Sequence, residues 1–558
     1  MAVPLHSTAQ EAGARTVPAP RRRRAPRPLL LALAAAVAFA APLRGQGDTA
    51  GVLLHARIEG RDRLAAGGEP LHSADAVRQF YRGTGYRPAW TAPDSVHPAA
   101  SALTGFVWDG IASDGLEPDD YHARPLRRLL ASRRRLAPAD RAELDLLLTD
   151  AFLTAGHDLV QGRVPPRAVH PGWRAASRTA DLPAVLALAL LRARVGEALI
   201  GLRPATAQYG RLRQALARYR KIDGEGGWPA VPGRTLHAGD AGPEVAALRA
   251  RLAAEDSLAA GAAGVRYDSA LVAAVRTFQR RSGIADDGTV GPMTRAALNV
   301  AAGRRIQQLR ASLERERWLP TSLGSRYVAV YIPAFELQAM DGGRVALESR
   351  VVGGKTGWHT PIFSASMTTV IFNPYWNIPP SILQQEVLPR QRRDPSYFSR
   401  EGIEAVRNGG GVRYRQLPGP QNPLGAVKLI FPNSYNVYLH DTSSPSLFAR
   451  DERAFSHGCV RVEKPMELAA FALAETPGWT ADSVLSVTGG DRTRERAVPL
   501  SKPLPVYIFY RTAWVDDAGE VQFRRDVYEL DALLERALAS ADPSRVRPAG
   551  EKAAEEGS

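Results

Sequence analysis

One thiol and two imidazoles in a short stretch of this chain have the types and the spacing that acyl transfer requires. Cys459 is the only cysteine among the 558 residues, His457 lies two positions before it, and His440 lies nineteen positions before it. A thiol with an ordinary pKa near 8.5 is only a few per cent thiolate at neutral pH, so a nucleophilic cysteine needs a neighbouring base or positive charge. The spacing alone does not bring either histidine to the sulfur, and only a fold can do so.

Two neighbours of Cys459 suit the same chemistry. Gly458 lacks a Cβ, so the backbone can turn tightly there and bring N–H groups close to a substrate carbonyl, where they stabilise an oxyanion. Arg461 could hold a substrate carboxylate with a two-pronged hydrogen bond. The alternative is structural, because an isolated cysteine is most often a small buried hydrophobe and a lone histidine is often part of a core.

The composition narrows the classes of protein that fit. A formal charge of +15 could indicate a polyanionic partner, but 66 of the 72 basic residues are arginine and they are scattered along the chain. This pattern favours a codon bias over a nucleic-acid surface. The single cysteine excludes an internal disulfide, a multi-thiolate zinc site and a lipoprotein anchor. No HExxH or similarly spaced ligand set is visible, which disfavours a metal hydrolase.

The N-terminal residues have the anatomy of an export signal. Four consecutive arginines at 21–24 precede an apolar run of thirteen residues from Leu29 to Ala41. Such a run is shorter than the ~17–25 residues of a membrane-spanning helix. We therefore expect residues 1–46 to be a secretory signal that is cleaved near 38–41 or retained as a signal anchor. The arginines disfavour a buried helix, and membrane attachment is expected only through this segment.

Hydrophobic periodicity divides the rest of the chain into a helical part and a β-rich part. Apolar residues recur at helical spacing before residue 230, as with Leu144, Leu148 and Phe152 on one predicted helix face. After residue 326, short apolar runs bounded by Gly, Pro and Asn predict strands. The sequence thus predicts a multidomain α+β protein. Its predicted units are a signal at 1–46, a helical scaffold domain at 47–230, a small three-helix module at 236–300, a connecting helix at 301–325, a β-rich domain at 326–490 with an insert at about 382–420, a hairpin and helix at 491–545, and a polar tail at 546–558.

The strings SHGCVR, from Ser456 to Arg461, and YLHD, ending at Asp441, resemble the signature of the L,D-transpeptidases with a YkuD-type catalytic domain. That signature is a histidine, about fifteen to eighteen residues, Ser or Thr with His-Gly-Cys, and usually an arginine two positions on. Here fifteen residues separate His440 from Ser456. The strings VVGGKTGWHTPIF (351–363), NPYWNIPPSI (373–382) and NPLGAVKLIFPN (422–433) also resemble segments of the family's large periplasmic members, whose substrate-capping loop corresponds to the insert. The string VRTFQRRSGIADDGTVGPMTRAAL (275–298) resembles a peptidoglycan-binding domain.

The resemblance implies a two-step acyl transfer on peptidoglycan. Cys459 would attack the bond between the third residue of a stem tetrapeptide and its terminal D-Ala, and His440 would take the thiol proton. The amine of another stem would resolve the thioester into a 3–3 cross-link. His457 and Gly458 would form an oxyanion turn, and Asp441 would offer His440 either its backbone carbonyl or its side chain. The residues implied to bind substrate are Ser456, Arg461, Trp376 and Asn377.

The resemblance also implies the surroundings of the enzyme. It implies no metal and no organic cofactor, and it implies acylation by carbapenems. The implied partners are stem peptides and glycan strands, together with glycan-synthesising enzymes and carboxypeptidases, in the periplasm or cell envelope. Three alternatives stay open, namely an L,D-carboxypeptidase that uses water as acceptor, an enzyme that attaches or detaches envelope proteins, and a non-catalytic wall-binding scaffold.

Overall fold

The computed structural model describes residues 48–131, 136–255, 264–408, 411–489 and 493–540. The predicted export signal and the polar tail lie outside these residues. The predicted fold class is confirmed, since helices form the first part of the described chain and strands dominate the second. None of the helices in the described ranges is both long enough and apolar enough to cross a membrane.

The helical scaffold is built around one long helix, α5. The scaffold helices are α1 (Thr49–Glu59), α2 (Ala74–Gly83), α3 (Ala99–Gly105), α4 (Ala123–Leu130), α5 (Pro138–Gln161), α6 (Pro166–Val169), α7 (Leu182–Leu191), α8 (Val195–Gly201) and α9 (Ala207–Gly224). Two short hairpins, β1 (Ala65–Ala66) with β2 (Glu69–Pro70) and β3 (Thr91–Ala92) with β4 (Ser95–Val96), connect them. Almost every residue of α5 from Arg141 to Val160 is buried, so the single apolar face predicted from the spacing understates its burial. The reason is that α1, α2, α4, α7 and α8 all pack around it.

Buried aspartates on α5 hold the connecting loops in place. Asp145 accepts hydrogen bonds from the backbone and side-chain donors of residues 89–91. Asp150 accepts two backbone N–H groups of residues 72–73 and one from His122 Nε2 at 2.7 Å. A buried N–H without a partner is costly, so these carboxylates take the place of backbone acceptors. These buried carboxylates stabilise the scaffold. Hydrophobic periodicity concerns apolar residues alone, so it could not have predicted them.

The predicted three-helix module is present. It consists of α10 (Pro243–Glu255), α11 (Ser269–Ser282) and α12 (Pro292–Leu298). Asp268 caps α11, because its carboxylate accepts the N–H of Leu271 at 2.9 Å. The turn before α12 is held by Gln279, whose side chain accepts the N–H of Gly288 at 2.9 Å and donates to Asp287. Gly288 has a φ of 75°, which favours glycine there.

A single helix, α13 (Ala302–Arg317), ties the module, the scaffold and the β-rich domain together. Its Leu309 and Leu313 share a core with α9 and with the C-terminal hairpin. Its Glu314 accepts the N–H of Val164 at 2.7 Å and pairs with Arg317, and both side chains are fully buried. The helix predicted as a connector is therefore a buried central element of the fold.

The β-rich domain is a sheet whose pairings form a closed circuit. Its strands are β5 (Arg326–Tyr331), β6 (Glu336–Asp341), β7 (Arg344–Gly354), β8 (Ser364–Phe372), β12 (Val427–Ile430), β13 (Leu439–His440), β14 (Ala454–Ser456), β15 (Val460–Val462) and β16 (Arg496–Phe509). The order is β7, β15, β13, β12, β8, β16, β5, β6 and back to β7, with β14 beside β7. Helices α17 (Pro465–Leu473) and α18 (Ala481–Gly489) follow β15.

The segment between β8 and β12 forms a small cap of its own. Its strands are β9 (Trp376–Asn377), β10 (Ile403–Asn408) and β11 (Gly411–Gln416), and its helices are α14 (Pro380–Ile382), α15 (Leu388–Arg393) and α16 (Tyr397–Glu401). Ile378, Val387 and Ile403 form its core. A π-helical turn, Leu383–Val387, joins α14 to α15. Such turns often occur at functional sites because they redirect one side chain.

The predicted boundary at residue 490 falls inside the barrel and is corrected by the structure. Strand β16 pairs antiparallel with β8 and parallel with β5, so it is a barrel strand and not part of a C-terminal hairpin. The hairpin is shorter, with β17 (Ala513–Val515) against β18 (Val521–Phe523), and α19 (Leu530–Leu538) follows it. Parallel pairing with a strand far away in sequence leaves no local signal, so the sequence could not predict it.

Candidate active site

The parallel pairing of β13 with β15 brings the predicted site residues onto one face of the sheet. Leu439 is paired with Val460, and both are fully buried in the core. Side chains alternate along a strand, so His440 and Arg461, the next pair, lie on the opposite face. Cys459 immediately precedes Val460 and belongs to that same outer face. Residues nineteen apart in sequence therefore become neighbours in the fold.

The Cys459 thiol is held by backbone groups and is not sealed from solvent. The residue is half-buried, and Sγ donates to the carbonyl of Asn436 at 3.7 Å. Burial raises the pKa of the Cys459 thiol. Hydrogen bonding from Tyr438 and the charges of Lys428 and Arg461 act in the opposite direction on the pKa but do not overcome burial. The resting nucleophile is thus a neutral thiol.

The His440 ring is buried and oriented by a backbone carbonyl. Its Nδ1 donates to the carbonyl oxygen of Asp441 at 2.5 Å, and the backbone carbonyl of Pro423 also acts on the ring as a hydrogen-bond acceptor. Burial, helped by the charge of Arg461, lowers the pKa of His440 to about 3. The imidazole is therefore neutral at physiological pH.

The Asp441 carboxylate organises the chain around it. It accepts the N–H of Ala426 at 2.8 Å and that of Thr442 at 2.7 Å. Gly425 packs so closely against this carboxylate that an added Cβ would lie 2.2 Å from an oxygen. Of the two roles predicted for Asp441, the structure has the contact through the backbone carbonyl.

Two residues that the sequence analysis did not single out lie near the thiol and the imidazole. The Tyr438 ring is 5.6 Å from the His440 ring, and its hydroxyl group acts on the sulfur as a hydrogen-bonding partner. Lys428 Nζ lies 3.8 Å from the centre of the Tyr438 ring. No hydrogen bond joins the Cys459 thiol to His440 within the described chain, so their direct pairing stays a prediction. The alternation of side-chain direction along the predicted strands VKLI (427–430) and VYLH (437–440) could have drawn attention to Lys428 and Tyr438.

The turn before the thiol is closed by its own side chains. Ser456 Oγ donates to the carbonyl of Cys459 at 2.5 Å and accepts the N–H of Gly458 at 3.1 Å. Thr360 Oγ1 donates to the Gly458 carbonyl at 2.8 Å. Gly458 has a φ of 112°, a conformation that favours glycine. The Gly458 N–H therefore donates to Ser456, and the glycine lets the turn form, while the oxyanion turn predicted from His457 and Gly458 stays a prediction.

His457 faces the cap and not the thiol. Its Nε2 lies 2.8 Å from Glu386 Oε1, on the π-helical turn, and 3.5 Å from Lys355 Nζ. The Trp358 ring packs edge-on against it at 5.1 Å. The SHGC turn and the cap are therefore joined through one half-buried carboxylate, a contact that sequence spacing could not reveal.

The remaining predicted substrate-binding residues lie in two places. Arg461 shares the outer face with Cys459, burial lowers its pKa, and its Nε has no hydrogen-bond partner among the described residues. Trp376 and Asn377 form β9 of the cap, where Asn377 is exposed and Trp376 packs on the cap core. Among the residues described, no cluster of three or more His, Cys, Asp or Glu side chains is placed to hold a metal ion.

Removal of the Glu386 side chain should test the contact between cap and turn. We expect Glu386→Ala to slow acylation of Cys459 by about tenfold, because a hydrogen bond to a charged group contributes about 1.5–3 kcal/mol and here positions the SHGC turn. Stability should change little, since the side chain is 35% exposed. The rate of covalent labelling by a carbapenem measures the effect.

Glu404→Ala is the matched control for this variant. Glu404 is another cap carboxylate of similar exposure, and it pairs with Arg415 and not with the turn. Equal loss of labelling in both variants would mean that the cap is merely disturbed and that Glu386 has no special role.

The barrel, the cap and the strand of His440 paired beside the SHGC turn fit the L,D-transpeptidase catalytic domain that the motifs predicted. Sequence profiles of known families agree: residues 325–485 match the L,D-transpeptidase catalytic domain of the YkuD family. Residues 241–298 match a family described as "Putative peptidoglycan binding domain", and residues 75–216 match a scaffold domain. This chain therefore carries a YkuD-type L,D-transpeptidase catalytic domain joined to a peptidoglycan-binding domain, as the motifs predicted.

Individual relatives extend the comparison. A Haemophilus influenzae protein named "Putative L,D-transpeptidase" is 33% identical over 253 residues, which is 42% of this chain and half of that protein's length. An L,D-transpeptidase structure from Stackebrandtia nassauensis is 15% identical, covers 50% of this chain and 96% of its own, and has a TM-score of 0.21. One from Xylanimonas cellulosilytica is 18% identical, covers 50% and 98%, and has a TM-score of 0.17. With scores this low, the family assignment rests on the sequence matches.

Proposed function

We propose that this protein is an L,D-transpeptidase that links peptidoglycan stem peptides through a cysteine thioester. The observation that carries the proposal is the pairing of β13 with β15, which places a solvent-reachable thiol and a neutral imidazole on one face of the barrel. The cap contact through Glu386 lies beside the same turn. The name of the Haemophilus influenzae relative agrees with this activity.

The first step forms the acyl-enzyme. Cys459 Sγ leaves the Asn436 carbonyl and attacks the carbonyl carbon of the third stem residue, while the thiol proton passes to His440 Nε2. The C–N bond to the terminal D-Ala then breaks, and the departing amine takes that proton. The hydrogen bond from Nδ1 to the Asp441 carbonyl keeps the ring in the tautomer that can accept at Nε2.

The second step resolves the thioester. The side-chain amine of a second stem attacks the thioester carbonyl and loses its proton to His440. The C–S bond breaks, an amide between two third-position residues forms, and the thiol regains a proton from the imidazolium. Arg461 holds a substrate carboxylate on the same face, and Trp376 and Asn377 contact the stem when the cap is closed.

Incubation with purified tetrapeptide muropeptides tests the proposal. We expect mass spectrometry to show release of D-Ala and a 3–3 linked dimer. Accumulation of tripeptide alone would identify an L,D-carboxypeptidase, and transfer to a lipoprotein amine would identify an enzyme of envelope-protein attachment. An unchanged tetrapeptide would contradict the proposal.

The pH dependence of acylation gives an independent prediction. Because the pKa of His440 is lowered to about 3, the imidazole stays neutral as the pH falls from 7 to 5. We expect the second-order rate constant for labelling by a carbapenem to stay nearly constant over this range. A histidine with an ordinary pKa near 6.5 would lose about 25-fold, and a mechanism that needs preformed thiolate would lose about 100-fold. Either decline would contradict a neutral thiol–imidazole pair.

The same proposal sets the location and the partners of the protein. A peptidoglycan-binding domain and a peptidoglycan-acting catalytic domain support a location in the cell envelope, and the export signal predicted at 1–46 would direct the protein to the periplasm or the inner membrane. Its partners would be stem peptides, glycan strands, and the enzymes that synthesise the strands and trim pentapeptides to tetrapeptides.

A further inference from the structure

A cavity of about 210 Å³ lies where the scaffold meets the barrel, and none of the candidate site residues lines it. Its walls come from the loop after α6, with His170 and Trp173, from α13, with Ser312 and Arg315, and from the barrel, with Arg511. Thr206, which is exposed, stands at its rim. Nothing in the proposed transpeptidation uses this cavity.

The cavity walls carry buried polar atoms that nothing in the described chain satisfies. His170 Nε2, Trp173 Nε1, Ser312 Oγ, and Nε and Nη2 of Arg315 lack hydrogen-bond partners, as does Arg511 Nε. The first four residues are all at least 92% buried. Arg315 is held in place, since its Nη1 donates to Asp531 at 2.5 Å. Buried polar atoms are nearly always bonded, so a group of such atoms around one cavity indicates that something else supplies the partners.

The polar atoms are mostly donors, and one acceptor stands beside them. Indole, guanidinium and hydroxyl groups donate, whereas the buried carboxylate of Glu316 accepts, among the residues described, a 3.5 Å contact from Thr206 alone. The complementary ligand has several acceptor oxygens and at least one hydroxyl. The cavity is larger than the roughly 30 Å³ share of one water molecule and smaller than a drug-sized pocket of about 300 Å³, so it suits one ring-sized group.

Another part of the wall is aromatic. Phe509 stacks on Tyr331 with ring centres 5.7 Å apart, and Trp173 lies 6.1 Å from Phe509. Arg511 lies over the Tyr331 ring at 4.3 Å. Flat rings beside fixed polar groups suit a sugar, because the C–H face of a pyranose packs on an aromatic ring while its hydroxyl groups make hydrogen bonds.

We propose that this cavity is a saccharide site that takes one acetamido-bearing pyranose of a glycan strand. The acetamido oxygen and ring hydroxyl groups would accept from Trp173 Nε1, Ser312 Oγ and Arg315, and a sugar hydroxyl would donate to Glu316. The site is separate from the peptidoglycan-binding module, whose residues do not line it. Saccharide binding here does not depend on the chemistry of Cys459.

The position of this site relates it to the thiol. A neighbouring cavity of about 180 Å³ shares His170 and Ile362 with it and is also lined by His359, Thr360 and Tyr435. Thr360 bonds the Gly458 carbonyl, and Tyr435 precedes Asn436, which holds the thiol. The residues that line the two neighbouring cavities would thus connect a sugar in the saccharide site to the SHGC turn.

The Trp173 indole N–H reports on the site directly. The full-length protein is labelled with ¹⁵N-tryptophan. The indole resonance of Trp173 is assigned as the one that is absent from the spectrum of Trp173→Phe. We expect this resonance to shift on titration with the tetrasaccharide of N-acetylglucosamine and not with a tetrasaccharide of glucose. No shift at saturating probe, or an equal shift with the glucose tetramer, would overturn the proposal and leave a cavity that holds water only.

Ser312→Ala gives a second test that a structural role would not mimic. If the hydroxyl serves only the ligand, its loss should leave the unfolding temperature unchanged or slightly raised, because an unbonded buried hydroxyl is removed, and should weaken saccharide binding by about three- to tenfold. Unchanged affinity would contradict the proposal.

Ser349→Ala is the matched control for Ser312→Ala. Ser349 is equally buried but bonded, since its Oγ donates to the Arg350 carbonyl and accepts the N–H of Lys464. We expect this variant to lose stability and keep its affinity for the saccharide. Cys459→Ala should also keep that affinity, so a failure of the saccharide site and a failure of the proposed transpeptidase remain distinguishable.

Discussion

Replacement of Cys459 by alanine is expected to abolish cross-linking, with a loss of more than about 10³-fold in the rate of 3–3 dimer formation. Cys459 is the only sulfur nucleophile in the chain, and it lies on the outer face of the barrel with its sulfur bonded only loosely to the Asn436 carbonyl. Removing the nucleophile of a covalent mechanism removes the acyl-enzyme itself. Dimer formation from tetrapeptide muropeptides, followed by mass spectrometry, measures the loss.

The fold should survive this substitution. Cys459 is half-buried and outside the hydrophobic core, so the unfolding temperature and the binding to intact peptidoglycan sacculi should stay close to those of the parent protein. A variant that is folded and still forms dimers would eliminate Cys459 as the nucleophile. A variant that loses dimers together with its fold is distinguished by the unfolding temperature.

Replacement of His440 by glutamine is expected to slow acylation by about 10²–10⁴-fold, the usual contribution of a general base. Glutamine can still donate to the Asp441 carbonyl but cannot accept the thiol proton at physiological pH. The effect should appear in labelling by a carbapenem, which reports the first step alone. It should also appear in dimer formation, because the same imidazole assists both steps.

His237→Gln is the matched control for His440→Gln. His237 is an exposed residue in the module predicted at 236–300, so His237→Gln makes the same chemical change outside the barrel strands. It should leave labelling unchanged. If His440→Gln labels as fast as His237→Gln, another group takes the thiol proton, and Tyr438 would be the first to examine.

The sequence could indicate which residues to examine, but not much of their surroundings. The resemblance carried by SHGCVR and YLHD singled out Cys459 and His440 as candidates, and the parallel pairing of their strands brings both onto one face. The partner of His440 was left open between two roles of Asp441, because only coordinates separate a backbone carbonyl from a carboxylate. Tyr438 was missed because a tyrosine in a strand usually indicates packing.

Contacts between segments that are distant in sequence account for the other differences between the predicted and the observed structure. The contact between Glu386 and His457 joins positions 71 residues apart, and β16 pairs with β5 across most of the β-rich domain. Hydrophobic periodicity records which faces are buried but not against which partner. The oxyanion turn expected of His457 and Gly458 stays a prediction, and in the folded turn the Gly458 N–H donates to Ser456.

The central claim is that the sulfur of Cys459 carries the acyl group. Intact-protein mass spectrometry after brief exposure to a tetrapeptide muropeptide, followed by digestion to locate the adduct, tests it most directly. The account predicts one added mass, equal to the muropeptide less D-Ala, on the peptide that contains Cys459. An adduct at any other residue, or cross-linked product without any adduct under conditions that trap thioesters, would contradict it.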